Sequence, residues 1–390
     1  MIARPDRGFT LDEFENRTTR AQAEMKALGM DALLLTTEPN VRYFTGFLTQ
    51  FWESPTRPWF CVIPADGKPI AVIPEIGAAG MRTTWVEDIR TWPAPRPEDD
   101  GISLLAQTIK ECMKGGKIGI QMGHESHLRM PAGNFQSLCD QIRPHEIADA
   151  TMMMRALRNV KSEQEVAKIH YACDITSTCF ENLPNLLKAG ESERDNCKRM
   201  RIDLLERGAD HSPYLISASG QGGYDNIIMG PTDRILERGD ILIIDTGTVY
   251  DGYFCDFDRN YGFGEVADES KRAYETVFKS TDAGFAVARP GATYSDIWKA
   301  MWDVLEAGGA LGNDVGRMGH GLGIQLTEGP SVTPDDHTVL KPGMVVTLEP
   351  GMEFSPGKQM VHEENILITE DAPIWLTRRA PAEIPIVEID

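Results

Sequence analysis

The stretch DTGTVYDGYFCDFDR, residues 245–259, sets four aspartates among residues that favour strands: Val249, Tyr250, Tyr253, Phe254 and Phe257. Aspartate is a poor strand former, and a buried carboxylate is costly unless it is paired or binds a metal. A fold containing this segment must turn Asp245, Asp251, Asp256 and Asp258 to water or gather a cation among them. Asp251-Gly252 is a turn dipeptide, which assigns Asp251 to a hairpin bend. Asp245 and Asp256 have an odd separation, so one straight strand cannot show both on one face. Two adjacent strands joined at that turn can present them.

Three further stretches carry polar residues beside apolar runs: GHGLGIQLTEGPS (319–331), VVTLEPGME (345–353) and MVHEENILITE (360–370). His320 stands between Gly319 and Gly321, with Gly323 next, so backbone can approach it closely. Taken singly, each stretch is ambiguous. A lone Asp or Glu is more often a solvated strand end, and a His between glycines is more often a turn residue. Two Asp, one His and two Glu gathered in space would form an oxygen-rich site with one nitrogen. That donor set suits a pair of divalent ions such as Mn, Fe, Co or Zn rather than thiolate-bound zinc. Two such ions can lower the pKa of a shared water and polarise a carbonyl.

At 390 residues the chain exceeds one ordinary core. The first part alternates helix and strand: a helix over 11–28, a strand at 31–37, a hairpin over 59–74 about Asp66-Gly67, a helix from 102 and a strand near 117. That is the pattern of an α/β layer domain. Beyond it, Ser162 is placed to cap a long helix ahead of Glu165. Strand runs and helices near 192–207, 268–288 and 294–308 then come in α+β blocks. The expected domains are 1–155 and 156–390.

The formal charge of −20 disfavours nucleic acid and anionic membranes as partners. No apolar run approaches the ~18 residues of a membrane span. The opening MIARPDRGFT has no apolar core of a signal peptide. The seven scattered cysteines read as reduced thiols. A cytoplasmic location is the expectation.

The order and spacing of these motifs resemble the pita-bread metallopeptidase family, which includes methionine aminopeptidase, aminopeptidase P, prolidase and creatinase. The likeness covers about residues 155–375, and the N-terminal part resembles more loosely the smaller domain of aminopeptidase P, prolidase and creatinase. Asp245, Gly247, Asp256 and Arg259 match a D-x-G and D-x-x-R signature. G-H-G-x-G at 319–323, E-P-G at 349–351 and Glu363 come next in order. The resemblance implies an α+β pita-bread C-terminal catalytic domain preceded by a smaller α/β creatinase-like N-terminal domain. It also implies a dinuclear-metal-dependent hydrolase that cleaves a C–N bond through a metal-bridging hydroxide. Asp245 would bind one metal, Asp256 and Glu363 would bridge, and His320 with Glu349 would hold the other. Glu349 would also move protons. Manganese is the first expectation, with Fe, Co or Zn as alternatives. Family spacing selects Glu363 over Glu364, which strand alternation alone does not. Asp258 stands where the family often has Thr and takes no role.

The substrate side departs from the proline-specific peptidases. Thr327 occupies the place of a histidine seven positions after His320. The 219–230 loop holds Tyr224 but no histidine, and Val361 replaces an arginine, with His362 beside the ligand. Tyr224, Thr327 and His362 are therefore expected on the substrate side. In dimeric relatives the N-terminal domain reaches toward the neighbour's site. Arg57 and Trp59, in the aromatic segment 43–60, are accordingly expected to receive a substrate carboxylate in a homodimer, against the plainer reading of core packing. The expected substrate is a small amino-acid-like compound or an Xaa-Pro dipeptide. The alternatives are a lyase on a zwitterion such as dimethylsulfoniopropionate, a creatinase- or ectoine-hydrolase-type enzyme, and a non-catalytic binding module.

Overall fold

The structure is a computed structural model and describes residues 2–312 and 316–389. The chain divides into two compact units: Asp6–Arg158, and Asn159–Asp390 together with the residues before Asp6. The division falls three residues beyond the expected boundary, at the end of a helix (Thr151–Asn159) that the sequence reading did not name.

In the first unit, strands β1 (Met30–Leu35), β2 (Phe60–Pro64), β3 (Ile70–Pro74), β4 (Asp88–Trp92), β5 (Lys117–Ile120) and β6 (Ile147–Asp149) form one mixed sheet. Its order is β4-β3-β2-β1-β5-β6. The β2–β3 pair is the hairpin read around Asp66-Gly67. Helix Ile102–Cys112 packs Leu105 and Ile109 into a core with Leu34, Val62 and Ile118. The aromatic segment is mostly structural. Tyr43 and Phe44 are buried in a helix, Glu38–Thr45, whose Pro39 sits in the first turn, where a missing N–H costs nothing. Trp59 is 1% exposed and packs on Phe47, Phe51 and Trp52. A Cβ at Gly77 would lie 2.1 Å from its ring. The substrate role expected for Trp59 thus gives way to core packing. Arg57, at φ 54°, stacks its guanidinium 5.0 Å from the centre of the Phe51 ring.

The second unit opens with helix Glu163–Asn182, capped reciprocally by Ser162 and Glu165 as read from the sequence. Its strands are β7 (His211–Gln221), β8 (Asp240–Tyr250), β9 (Tyr253–Phe254), β10 (Phe257–Phe263), β11 (His320–Gly321), β12 (Glu328–Ser331), β13 (Val345–Leu348), β14 (Gly351–Ser355), β15 (Lys358–Val361), β16 (Glu364–Leu367), β17 (Ile374–Trp375) and β18 (Ile386–Val387). One sheet runs β18-β10-β8-β7, with β9 on β8. The other runs β12-β11-β13-β16-β17, and β14 pairs with β15. Helices Asp268–Val287 and Tyr294–Ala307 supply Ala273, Val277, Ile297 and Met301 to the core that also takes Ile243, Val346 and Ile366 from the two sheets. No described helix is long and apolar enough to cross a membrane. All seven cysteines are free.

Candidate metal centre

The β8–β10 ladder accounts for the aspartates of residues 245–259. Asp251 and Gly252 both have positive φ (48° and 80°), the geometry of a two-residue hairpin turn. Val249 then faces Phe254, and Thr246 faces Phe257. The same register sets Gly247 opposite Asp256, while Asp245 stands opposite Asp258. All four positions therefore share one face. On the other side of β8, Tyr214 pairs with Gly247. The Tyr214 ring lies over that glycine, and its hydroxyl donates to Asp256, with Asp245 Oδ1 at 3.4 Å. A Cβ at Gly247 would sit 2.6 Å from the Tyr214 ring and 2.4 Å from the Cys255 carbonyl. The motif glycine is thus the gap through which Tyr214 reaches the carboxylates.

A second ladder supplies the other candidate residues. Leu348 faces Glu364, and Gly351 faces Val361. Between these pairs, Glu349 falls opposite Glu363, so both carboxylates share a face that Glu364 does not. On neighbouring β11, a Cβ at Gly319 would meet the Thr347 carbonyl at 2.1 Å, so backbone does press against backbone beside His320. The Thr347 hydroxyl accepts from the His320 N–H at 3.1 Å. His320 Nδ1 lies 2.8 Å from the Gly321 carbonyl, which can only accept. The proton therefore sits on Nδ1, and the Nε2 lone pair is left for a ligand. The ladders are tied at Asp256, whose backbone N–H and carbonyl are both bonded by the Asn365 side chain.

Asp256, His320 and Glu363 are buried, each with a ligand atom within 4.8 Å of the others. His320 Nε2 is 3.2 Å from Asp256 Oδ2. Asp245 and Glu349 border this group and keep some surface open, yet their carboxyl groups are crowded by protein. Burial, then the charges of Asp256, Glu349 and Asp258, raises the pKa of Asp245 well above the usual carboxylate range. Burial, then Asp256, Glu349 and Asp245, does the same to Glu363. Burial, then Asp256 and Asp258, pushes Glu349 up to about 8. Glu363 Oε1 is buried without a hydrogen-bond partner. Clustered carboxyls with an orphaned oxygen and a presented imidazole lone pair are a donor set that fits divalent cations.

Glu364 points the other way. Burial opposes its charge, but Arg259, His362 and Arg379 outweigh that and hold its pKa well below the usual range. Arg259 Nη2 reaches Glu364 Oε2 at 3.0 Å while its Nη1 donates to the Glu363 carbonyl, also at 3.0 Å. Among the residues expected on the substrate side, Tyr224 is buried, with its hydroxyl donating to Asn260 and accepting from the Val361 N–H. It secures strands rather than facing a ligand. His362 is fully buried between Tyr274 and Phe278, and it accepts from Arg379 at 3.0 Å. Burial lowers its pKa to about 4. Thr327 is partly open, as Arg57 is, and its hydroxyl accepts from Arg317 at 3.1 Å.

Sequence reasoning missed three residues here. Tyr214 left only the indirect signal of Gly247. Asn365 sits beside the ligand in HEEN. Asp258, given no role, shares the ligand face, and burial raises its carboxyl to about 8 although Arg259 opposes the shift.

Comparison with known proteins places this geometry. Residues 167–370 match the model of metallopeptidase family M24, and residues 17–160 match the creatinase/prolidase N-terminal domain. An uncharacterized peptidase of Bacillus subtilis (strain 168) is 28% identical over 92% of this chain and 97% of its own length. A probable dipeptidase, PepE, of Mycobacterium tuberculosis (strain ATCC 25618 / H37Rv) is 28% identical over 98% of this chain and 99% of its own. Among solved structures, dipeptidase PepE from Mycobacterium ulcerans superimposes with a TM-score of 0.85 at 26% identity, covering 98% of this chain and 100% of that one. A recombinant prolidase from Thermococcus sibiricus gives 0.86 at 25% identity with the same coverage. The pita-bread expectation is borne out. The chain therefore belongs to metallopeptidase family M24, with a creatinase/prolidase-type N-terminal domain, and is a metal-dependent hydrolase.

Proposed function

We propose that the protein hydrolyses a C–N bond in a small amino-acid-like substrate or Xaa-Pro dipeptide with two divalent ions, manganese first. The observation that carries this reading is the pairing of two ladders: Asp245 and Asp256 from one, Glu349 and Glu363 from the other, with the His320 lone pair beside them. Asp245 would hold one ion, His320 and Glu349 the other, and Asp256 and Glu363 would face both. Ions held there would supply Lewis acidity and an acidified water near neutral pH. The chain's own residues orient the rest. Tyr214 fixes the Asp256 carboxylate, Asn365 fixes its backbone, and Glu349 is placed at the partly open side to carry a proton to the departing amine. The relatives named as dipeptidase and prolidase support a small peptide as substrate.

The test is a product screen on manganese-loaded protein with Xaa-Pro dipeptides, N-acyl amino acids and sulfonium zwitterions. Release of a free amine, abolished by chelation and restored by manganese, is expected. Cleavage of the sulfonium compounds alone would replace hydrolysis with elimination. Turnover of nothing, with full metal content, would overturn the reading.

A further inference from the structure

Lys161 and Glu328 are 167 positions apart in the chain, yet they form an ion pair away from water. Their side chains are 1% and 5% exposed, and Lys161 Nζ lies 3.1 Å from Glu328 Oε2. Such a pair adds little net stability, because desolvation offsets the attraction. What it can add is a fixed geometry. The backbone of Lys161 is itself held, its N–H donating to the Gly343 carbonyl at 2.9 Å.

The pair stands behind His320. Glu328 opens β12 and is the register partner of Gly321, the residue after His320 on β11. A Cβ on Gly321 would lie 2.7 Å from the Glu328 carbonyl, so the two backbones are pressed together. The Gly321 carbonyl is the group that accepts from His320 Nδ1, at 2.8 Å. Lys161 thus fixes Glu328, Glu328 fixes the Gly321 peptide, and that peptide fixes the imidazole. Gly323, the last glycine of G-H-G-x-G, makes room for this. A Cβ there would lie 2.9 Å from Lys161 Cε and 3.0 Å from both Glu328 carboxylate oxygens. Glu328 Oε1 also accepts from the Gln325 N–H at 3.2 Å, and the Gly323 carbonyl accepts from the Phe254 N–H at 2.9 Å. The loop after His320 is therefore folded around the ion pair and tied to the hairpin that carries Asp256.

We propose that the Lys161–Glu328 ion pair positions His320, by holding the Gly321 carbonyl where it receives the Nδ1 proton and so leaves Nε2 turned toward an ion. This deepens the hydrolytic reading and rests on it for the ion, while the hydrogen bond inside the protein stands by itself. Lys161 and Glu328 are positioning residues, and neither touches substrate.

The test compares wild type, Lys161→Met, the double variant Lys161→Met/Glu328→Leu, and Gly323→Ala. Nuclear magnetic resonance of metal-free protein labelled with [15N]histidine reads the His320 Nδ1–H proton, identified by its loss in His320→Gln. Calorimetry reads manganese affinity, and urea unfolding reads stability. The wild type should show a slowly exchanging Nδ1–H proton, and its absence overturns the proposal. Lys161→Met should lose that signal and weaken one of two ions roughly 10–100-fold, the scale of a lost supporting contact. It should also unfold at lower urea, because Glu328 is left buried and unpaired. Removing both charges relieves that penalty. The double variant should therefore unfold near the wild-type midpoint while the signal and the tight ion stay lost. Signal and affinity that return together with stability would mark the pair as merely structural and overturn the proposal. Should Lys161→Met fail to fold, Gly323→Ala keeps both charges and sets a Cβ against the pair. It should show the same two losses, and an unchanged signal and affinity there overturn the proposal as well. A signal lost in these variants, in a protein that takes up no manganese, would sink the hydrolase reading and leave this one standing. Turnover with two ions held equally by wild type and variants would do the reverse.

Discussion

Glu363 and Glu364 are the same residue type, adjacent in the chain and equally buried, yet they occupy opposite electrostatic worlds. Glu363 meets Asp245, Asp256 and Glu349, and its carboxyl is driven toward the neutral form. Glu364, on the other face, meets Arg259 and Arg379 and stays ionised. The difference teaches that one side of this ladder is completed by the protein and the other is left for a ligand. The finished side is a scaffold. The other side is the one on which we propose that a cation is held.

Replacing each glutamate by glutamine should break the protein in two distinct ways. Glu363→Gln should lose most of its bound metal and nearly all hydrolysis, while the metal-free variant melts at or above the metal-free wild type because one repelling carboxyl is gone. Elemental analysis and thermal unfolding together check this. Full metal occupancy in that variant would end the assignment of Glu363. Glu364→Gln should instead leave Arg259 and Arg379 without their buried partner. A loss on the order of 3–5 kcal/mol in urea unfolding of the metal-free protein is expected. Equal unfolding midpoints for wild type and Glu364→Gln would erase the contrast between the two faces.

Acidity sharpens the same contrast. In the metal-free protein Glu349 is pushed up to about 8 from an ordinary 4.5. A raised carboxyl contributes its full stability below the ordinary value, and that contribution is lost as pH rises through the folded value. Chelator-treated protein should therefore melt several degrees lower at pH 8 than at pH 5. Manganese-loaded protein should show the opposite trend, because metal binding expels those protons. Parallel trends in the two forms would contradict the idea that the crowded carboxyls await a cation. The smallest effect is expected from Tyr214→Phe, which removes the hydroxyl that steadies Asp256. Metal affinity in a competition titration should fall ~10-fold, the scale of a lost supporting hydrogen bond. No change would mean that Tyr214 only fills space.

Much of the fold and of the candidate site was legible in the sequence, because the motifs are fixed by backbone geometry. The hairpin at Asp251-Gly252, the capping box at Ser162 and Glu165, and the long helices all arise from local rules. The choice between Glu363 and Glu364 was not local. Alternation along HEEN separates the two but cannot say which face holds the metal until Leu348 is paired with Glu364. Asp258 was passed over because it was judged by type, whereas its register with Asp245 decides its face. Tyr214 acts across strands, through a contact that no spacing within a single segment encodes. Tyr224 and His362 were nominated for their nearness to motifs, yet both turn into the core.

The bond between Asn365 and the backbone of Asp256 joins residues 109 positions apart. A chain made from its N-terminus at about 5–20 residues per second presents the first ladder many seconds before the second exists. Until MVHEEN emerges, Asp245 and Asp256 lack Glu363, and Asp256 lacks the side chain that clamps its backbone. Metal loading in the cell is thus a late event of synthesis, and a ribosome stalled just short of residue 360 would hold a nascent chain that folds its first unit and takes up no ion.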